Sequence, residues 1–311
     1  MQAINVQNLT HRYQNVTALD RIDLTIKPAE IFGILGPNGG GKTTLFRILA
    51  TLLRPSEGSA RIFDCDVVAD APAVRAQLGV VFQSPSLDIQ LTAQENMTHQ
   101  GRLYGLRGAD LQSRIDTWLK RVNLADRADD LTKTFSGGMR RRVELAKAML
   151  HNPKLLLLDE PATGLDPAAR RDVWNELTEL REQNGLTALM TTHLMDEADR
   201  CDRLAVIHQG QIVAVDTPAN LKAAIRGHVI SIVANTDPDG LAQRITDNFA
   251  PWPDNTTPRV VQGTIYLEKP DGPAIIAKIA QVFTGEIQSI TLSQPTLEDV
   301  FLHLTGNKLG E

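Results

Sequence analysis

Gly36-Pro37-Asn38-Gly39-Gly40-Gly41-Lys42-Thr43-Thr44 is the stretch on which the fold turns. It follows the unbroken apolar run Ile31-Phe32-Gly33-Ile34-Leu35, which predicts a buried strand. It precedes Leu45 to Leu53, whose spacing predicts a helix. A glycine-rich turn between a buried strand and a helix lets backbone N–H groups converge on an anion at the helix N-terminus, where the helix dipole adds favourable potential. The pattern is that of a phosphate-binding loop, in which Lys42 would bridge the β- and γ-phosphates of a nucleotide and the Thr43 hydroxyl would bind Mg2+. A glycine turn that only caps a helix gives no reason for Lys-Thr to follow the glycines.

Outward from this loop, the short apolar runs Val80-Val81-Phe82, Leu155 to Leu158 and Leu186 to Met190 alternate with longer helical stretches. Buried strands separated by helices predict an α/β core with a mostly parallel sheet, and Met1 to Val6 already alternates like a strand. Residues 86 to 152 lack a buried strand and carry Leu111, Ile115, Trp118, Leu119 and Val122 at helical spacing, which predicts a helical subdomain inside the core. After Pro218 the order changes to strand (Val229 to Val233), helix (Leu241 to Phe249), two strands around Gln262-Gly263, helix (Ala274 to Phe283), strand (Ile287 to Leu292) and a last helix (Leu297 to Leu304). That is the ferredoxin-like β-α-β-β-α-β arrangement plus a tail. The chain is therefore expected to hold two domains, residues 1–218 and a small α+β domain over residues 219–311.

Composition excludes several function classes. With 311 residues, 42% hydrophobic and 22% charged, the chain has material for a sizeable core and is expected to fold. A net charge of -5 argues against partnership with nucleic acid or an anionic membrane surface. Cys65 and Cys201 are too few for a disulfide framework and are expected to be buried, inert thiols. No apolar run approaches the roughly 18 residues of a membrane span, and the start lacks the basic and apolar regions of a signal peptide, so a cytoplasmic location is expected. The run Arg140-Arg141-Arg142 reads as a solvated helix face.

A second chemical signal is Asp159-Glu160, two acids ending the Leu155 to Leu158 run. Open α/β sheets place ligands at the carboxyl ends of their strands. Asp159 fits a Mg2+ ligand, and Glu160 fits a base that orients or deprotonates an attacking water. Any strand can end in acids, and many phosphate-loop enzymes share both motifs. Phe135-Ser136-Gly137-Gly138-Met139 separates them, because here the chain resembles the ABC ATPase family, whose signature Leu-Ser-Gly-Gly-Gln it matches at Ser-Gly-Gly. Phe135 and Met139 depart from that pattern.

The resemblance extends to single positions in the family's order. Gln83 matches the glutamine that touches Mg2+ and signals to the membrane subunit, Gly164-Leu165-Asp166 the loop that crosses the dimer interface, His193 the switch histidine at the γ-phosphate, and Tyr13 the aromatic that stacks on adenine. Each has a bland reading: Gln83 as a polar strand end, Asp166 as the start of a helix, His193 as structural, and Tyr13 as packing. Pro295 to Leu302, with Ser86-Leu87-Asp88 and Leu91-Thr92-Ala93-Gln94-Glu95-Asn96, resembles ATPases of ABC-2-type exporters. The resemblance implies an ATPase that works as a homodimer, or as a heterodimer with a second ABC ATPase. The dimer sandwiches two ATP with Mg2+, each between the loop of one subunit and Ser136, Gly137 and Gly138 of the other. It also implies an antiparallel N-terminal β part before the parallel core, and a separate membrane-spanning permease that holds the ATPase at the inner face of the cell membrane. No nucleic acid partner is expected, given the net charge. Three alternatives remain. A soluble ABC ATPase would normally carry a long coiled-coil insertion or a second ATPase cassette, which this sequence does not show. A phosphate-loop kinase would be revived by activity only with an acceptor, and a non-hydrolysing regulator would be discriminated by a hydrolysis assay.

Overall fold

A computed structural model of the protein describes residues 2–225, 227–250 and 257–307. The chain divides into two compact units, Met1–Val213 and Ala214–Glu311. In the first, Val16–Ile26, Ile4–Tyr13, Glu57–Ile62 and Cys65–Asp66 form, in that spatial order, an antiparallel sheet. Its strand Ile4–Tyr13 covers most of the expected N-terminal alternation, of which Met1 lies outside the described residues.

The second sheet leads into most of the candidate site residues. Its order is Gln211–Asp216, Arg203–His208, Ile31–Leu35, Thr187–Thr192, Leu155–Asp159 and Leu78–Val81. From Arg203–His208 through Leu78–Val81 every pairing is parallel. Ile31–Leu35 and Leu155–Asp159 are buried along their whole length, which explains why they read as continuous apolar runs without alternation. Parallel strands share one carboxyl edge, so the loops after residues 35, 81, 159 and 192 all open on the same side.

Between residues 86 and 152 lie the helices Ala93–Leu103, Gly108–Arg121 and Gly137–Met149 with two short 3-10 turns. Leu111, Ile115, Trp118, Leu119 and Val122 are all buried, as their spacing predicts. The helix after the glycine-rich loop runs Lys42–Leu49, starting earlier and ending sooner than its apolar pattern suggests, because Thr51 adopts a left-handed φ of 61°.

The second unit has its own apolar core, which includes Ile230, Ile232, Leu241, Ile245, Ile265, Leu267, Ile279 and Phe283. Its strands His228–Ala234, Arg259–Val261, Thr264–Lys269 and Ile287–Ser293 alternate with helices Pro238–Phe249 and Gly272–Val282 in β-α-β-β-α-β order, before the helix Leu297–Thr305. The first strand lies between the third and fourth, the second sits outside the third, and all pairs are antiparallel, which is ferredoxin-like topology.

Candidate functional site

The glycine-rich loop is shaped by what surrounds it. A Cβ on Gly36 would meet the Ile207 carbonyl oxygen at 2.4 Å, and Gly41 has a φ of 106° with the Ala18 carbonyl oxygen 2.7 Å from where its Cβ would stand. Gly41 is the N-cap of Lys42–Leu49 and offers no side chain, and the first turn holds no acid, so the helix N-terminus keeps its N–H groups for an external anion. Lys42 is only 4% exposed, and its Nζ donates to the carbonyls of Gly36 at 2.8 Å and Pro37 at 3.0 Å. Burial lowers its pKa, opposed by the charges of Glu160 and Asp159. Arriving negative charge would restore what burial takes from the ammonium. Thr43 is exposed beside it, and Thr44 is buried.

Asp159 and Glu160 end the strand Leu155–Asp159 within reach of this loop. Asp159 is 4% exposed, and its Oδ1 accepts the Thr191 hydroxyl at 2.6 Å. Burial raises its pKa, with the Thr191 bond opposing and Glu160 adding to the rise. Glu160 has a left-handed φ of 46°, uncommon for a residue with a Cβ. Its amide is held by the carbonyl of Thr191 at 3.2 Å and the Thr191 hydroxyl at 3.0 Å. That turn projects the carboxylate into a cluster. Lys42 Nζ lies 3.8 Å from Oε1, while Gln83 Nε2 and the Thr163 hydroxyl each donate to Oε2 at 3.2 Å. His193 Nδ1 stands 3.2 Å from Oε2, at ion-pair range but without hydrogen-bond alignment.

Lys42, Gln83, Asp159, Glu160 and His193, spread over more than 150 positions of sequence, thus meet at one carboxyl edge. Asp159 and the Thr43 hydroxyl supply hard oxygen donors of the kind Mg2+ takes when substrate phosphates complete its shell. Gln83 directs its amide nitrogen at Glu160, leaving its amide oxygen as the atom for a metal. Among the described residues, Ser136, Gly137, Gly138, Asp166 and Tyr13 form no hydrogen bond or ion pair with that cluster. Ser136 is the N-cap of Gly137–Met149 and accepts from Met139 N at 3.2 Å. Ser136 and Gly137 are exposed, and among the described residues no hydrogen bond or ion pair joins Ser136 to Gly138 with Lys42 or Glu160. Asp166 caps Pro167–Asn184 by accepting from Ala168 N and Ala169 N, the bland reading of that position. Tyr13 is 41% exposed with its ring edge-on to His11 at 4.6 Å, so it is not core packing.

Two sequence readings are corrected. Arg141 does not sit on a solvated face: it is 7% exposed, and its guanidinium donates to the carbonyls of Pro161 and Phe82, each at 2.7 Å, and of Glu160 at 3.2 Å, and to Glu144 Oε2 at 3.0 Å. The signal was its position one and two turns before the buried Leu145 and Ala148, with Glu144 as a partner three residues on. Cys65 is half-buried rather than buried. Cys201 is buried, and burial pushes its thiol far above the ordinary value, which makes it inert.

Known proteins match along the whole chain. The family model described as ABC transporter matches residues 19–163. The Daunorubicin resistance ATP-binding protein DrrA3 of Streptomyces coeruleorubidus is 38% identical, over 98% of this chain and 96% of its own length. The chain belongs to the ABC transporter family. The Nod factor export ATP-binding protein I of Neorhizobium galegae, another ABC relative, is 36% identical over 99% of this chain and 86% of its own length. Among solved ABC cassettes, a dimer in a post-hydrolysis state with ADP and Pi is 28% identical with a TM-score of 0.64, covering 69% of this chain and 98% of that one. No helix among the described residues of this ABC protein is long and apolar enough to cross a membrane.

Proposed function

We propose that the chain is the ATP-binding and ATP-hydrolysing subunit of an ABC exporter, driving a separate membrane-spanning permease from the cytoplasmic face. The observation that carries this reading is the convergence of Lys42, Gln83 and His193 on the Glu160 carboxylate beside the phosphate loop. Export is supported by relatives named for drug resistance and Nod factor export.

In this reading the N–H groups at Gly41–Thr44 and the Lys42 ammonium take the β- and γ-phosphates, Lys42 exchanging its loop carbonyls for phosphate oxygens. Mg2+ held by Asp159, Thr43 and Gln83 would neutralise phosphate charge. Glu160 accepts a proton from the attacking water, and His193 lies beside it to meet the γ-phosphate. Tyr13, with its exposed ring, is the adenine platform. The Ser136-Gly137-Gly138 segment, exposed at Ser136 and Gly137, and Asp166 meet a second copy or a second ABC ATPase, a reading supported by the dimeric cassette.

Glu160→Gln tests the base. Glutamine keeps the shape and one accepting oxygen, so nucleotide binding should survive while turnover falls by about 10²- to 10⁴-fold, the usual contribution of such a base. That is about 3 to 5 kcal/mol of barrier. Turnover near wild type in a phosphate-release assay would remove Glu160 from this role.

A further inference from the structure

We propose that Arg141 is a positioning residue for hydrolysis: its guanidinium holds the left-handed turn that aims Glu160 and ties this turn, with the Gln83 segment, to the helix that begins after Ser136. The inference rests on the reading of Glu160 as the base and adds what keeps that base in place.

The turn at Glu160 needs holding from both sides. Its φ of 46° costs a side-chain-bearing residue more than the ordinary backbone regions do, so such a turn persists only where neighbours over-determine it. Thr191 fixes the amide side. On the carbonyl side Arg141 Nη2 takes the Glu160 carbonyl and Nε the Pro161 carbonyl, bracketing the peptide that follows the base. Arg141 Nη1 also takes the Phe82 carbonyl, one residue before Gln83, whose amide touches Glu160.

Two further residues of the same helix face extend this grip. Glu144 accepts Ser86 N at 2.5 Å, and Lys147 Nζ donates to the Ser86 carbonyl at 2.8 Å and hydroxyl at 2.9 Å. Arg141, Glu144 and Lys147 lie three residues apart, so one stripe of Gly137–Met149 holds both ends of the segment from Phe82 to Ser86. A buried Arg–Glu pair alone is weak evidence of stabilisation. What distinguishes Arg141 is that its planar fork spans carbonyls from two separate loops, a geometry lysine does not reproduce. Any displacement of the helix behind Ser136 therefore carries the base and its glutamine neighbour together. The position of the signature segment is thereby read by the hydrolytic residues of the same chain.

The test uses the full chain and the variants Arg141→Gln, Arg141→Lys, Glu160→Gln and Arg141→Gln/Glu160→Gln, with ATP affinity, kcat and amide hydrogen exchange measured for each. Arg141→Gln is expected to lower kcat by about tenfold or more with ATP affinity within about twofold of wild type, because the phosphate loop is untouched. Arg141→Lys should recover only part of this. Exchange should quicken at the Glu160 and Ser86 amides. The double variant should turn over no more slowly than Glu160→Gln, since two residues that act as a unit do not add. Losses that multiply in the double variant, or an Arg141→Gln kcat within about twofold of wild type, would overturn the proposal. If Arg141→Gln melts well below wild type, Arg141→Gln/Glu144→Gln, which removes both buried charges, takes its place under the same criteria. Were wild type and Glu160→Gln equally active, the base reading would fail. The exchange rates would still decide whether Arg141 holds the turn, unchanged protection at Glu160 counting against it.

Discussion

Lys42 sits where one substitution separates binding from folding. Its ammonium is buried against carbonyls that phosphate oxygens would replace on the proposed reading, so Lys42→Ala would remove a charged donor from the nucleotide without opening the apolar core. Hydrogen bonds to charged groups contribute about 1.5–3 kcal/mol, which predicts a loss of roughly 10- to 100-fold in ATP affinity in a direct titration. Glu197 offers a different test, through pH. It is buried, accepts the Thr192 hydroxyl at 2.5 Å, and its pKa is raised by burial, with Thr192 opposing. The folded chain thus holds this proton more tightly than the unfolded one. The resulting stability is complete below the ordinary value of 4.5 and lost as pH rises through the folded value. Glu197→Gln keeps an acceptor for Thr192 and removes the charge. It should melt higher than wild type near neutral pH and lose that advantage as pH falls toward about 4. Lys42, Asp159 and Glu160 were legible because each ends or follows an apolar run at a strand edge. Arg141 was hidden in a run of three arginines, where composition says solvent and only the helical phase against Leu145 and Ala148 says otherwise.

Helix starts account for much of what the resemblance presented as motif. Thr92-Ala93-Gln94-Glu95 forms a capping box in which Thr92 accepts from Glu95 N at 3.1 Å and Glu95 accepts from Thr92 N at 2.8 Å, opening the helix Ala93–Leu103. Thr92→Ala should therefore lower stability by about 0.5–2 kcal/mol, while Thr92→Ser stays close to wild type, both read by denaturant unfolding. Ser136 also caps its helix, by accepting from Met139 N without a reciprocal bond, but is exposed, with open space around Gly137. Ser136→Arg is accordingly expected to leave the monomer folded and to block ATP-driven pairing in sedimentation, since on the proposed reading its bulk would fall where a second subunit comes. Unimpaired pairing would place Ser136 elsewhere. Elements were legible where apolar period was strong, as in Gly108–Arg121. Boundaries moved where a single residue decides them, as at Gly41 before Lys42–Leu49 and at Thr51 beyond it, because one left-handed φ belongs to no repeating pattern.

At the scale of the molecule, the expected border near residue 218 came from a change in element order, whereas the compact units meet at Val213 and Ala214, inside the strand Gln211–Asp216. Pattern reads where a new arrangement starts; packing reads where one core ends. The distinction matters for the last prediction, that a chain ending at Thr217 folds and binds ATP with affinity within about threefold of the full protein. Stopping at Thr217 keeps the whole edge strand Gln211–Asp216 in its sheet, so no neighbouring strand is left with an open ladder. Every group at the phosphate loop, from Gly36 to His193, lies before that point. The apolar residues that follow it, such as Ile230, Leu241, Ile265 and Phe283, pack into a core of their own. Circular dichroism would establish that the shortened chain folds, and nucleotide titration would measure its affinity. A folded product that binds no ATP would show that Ala214–Glu311 supplies something the site requires, and the division of labour between the two units would have to be redrawn.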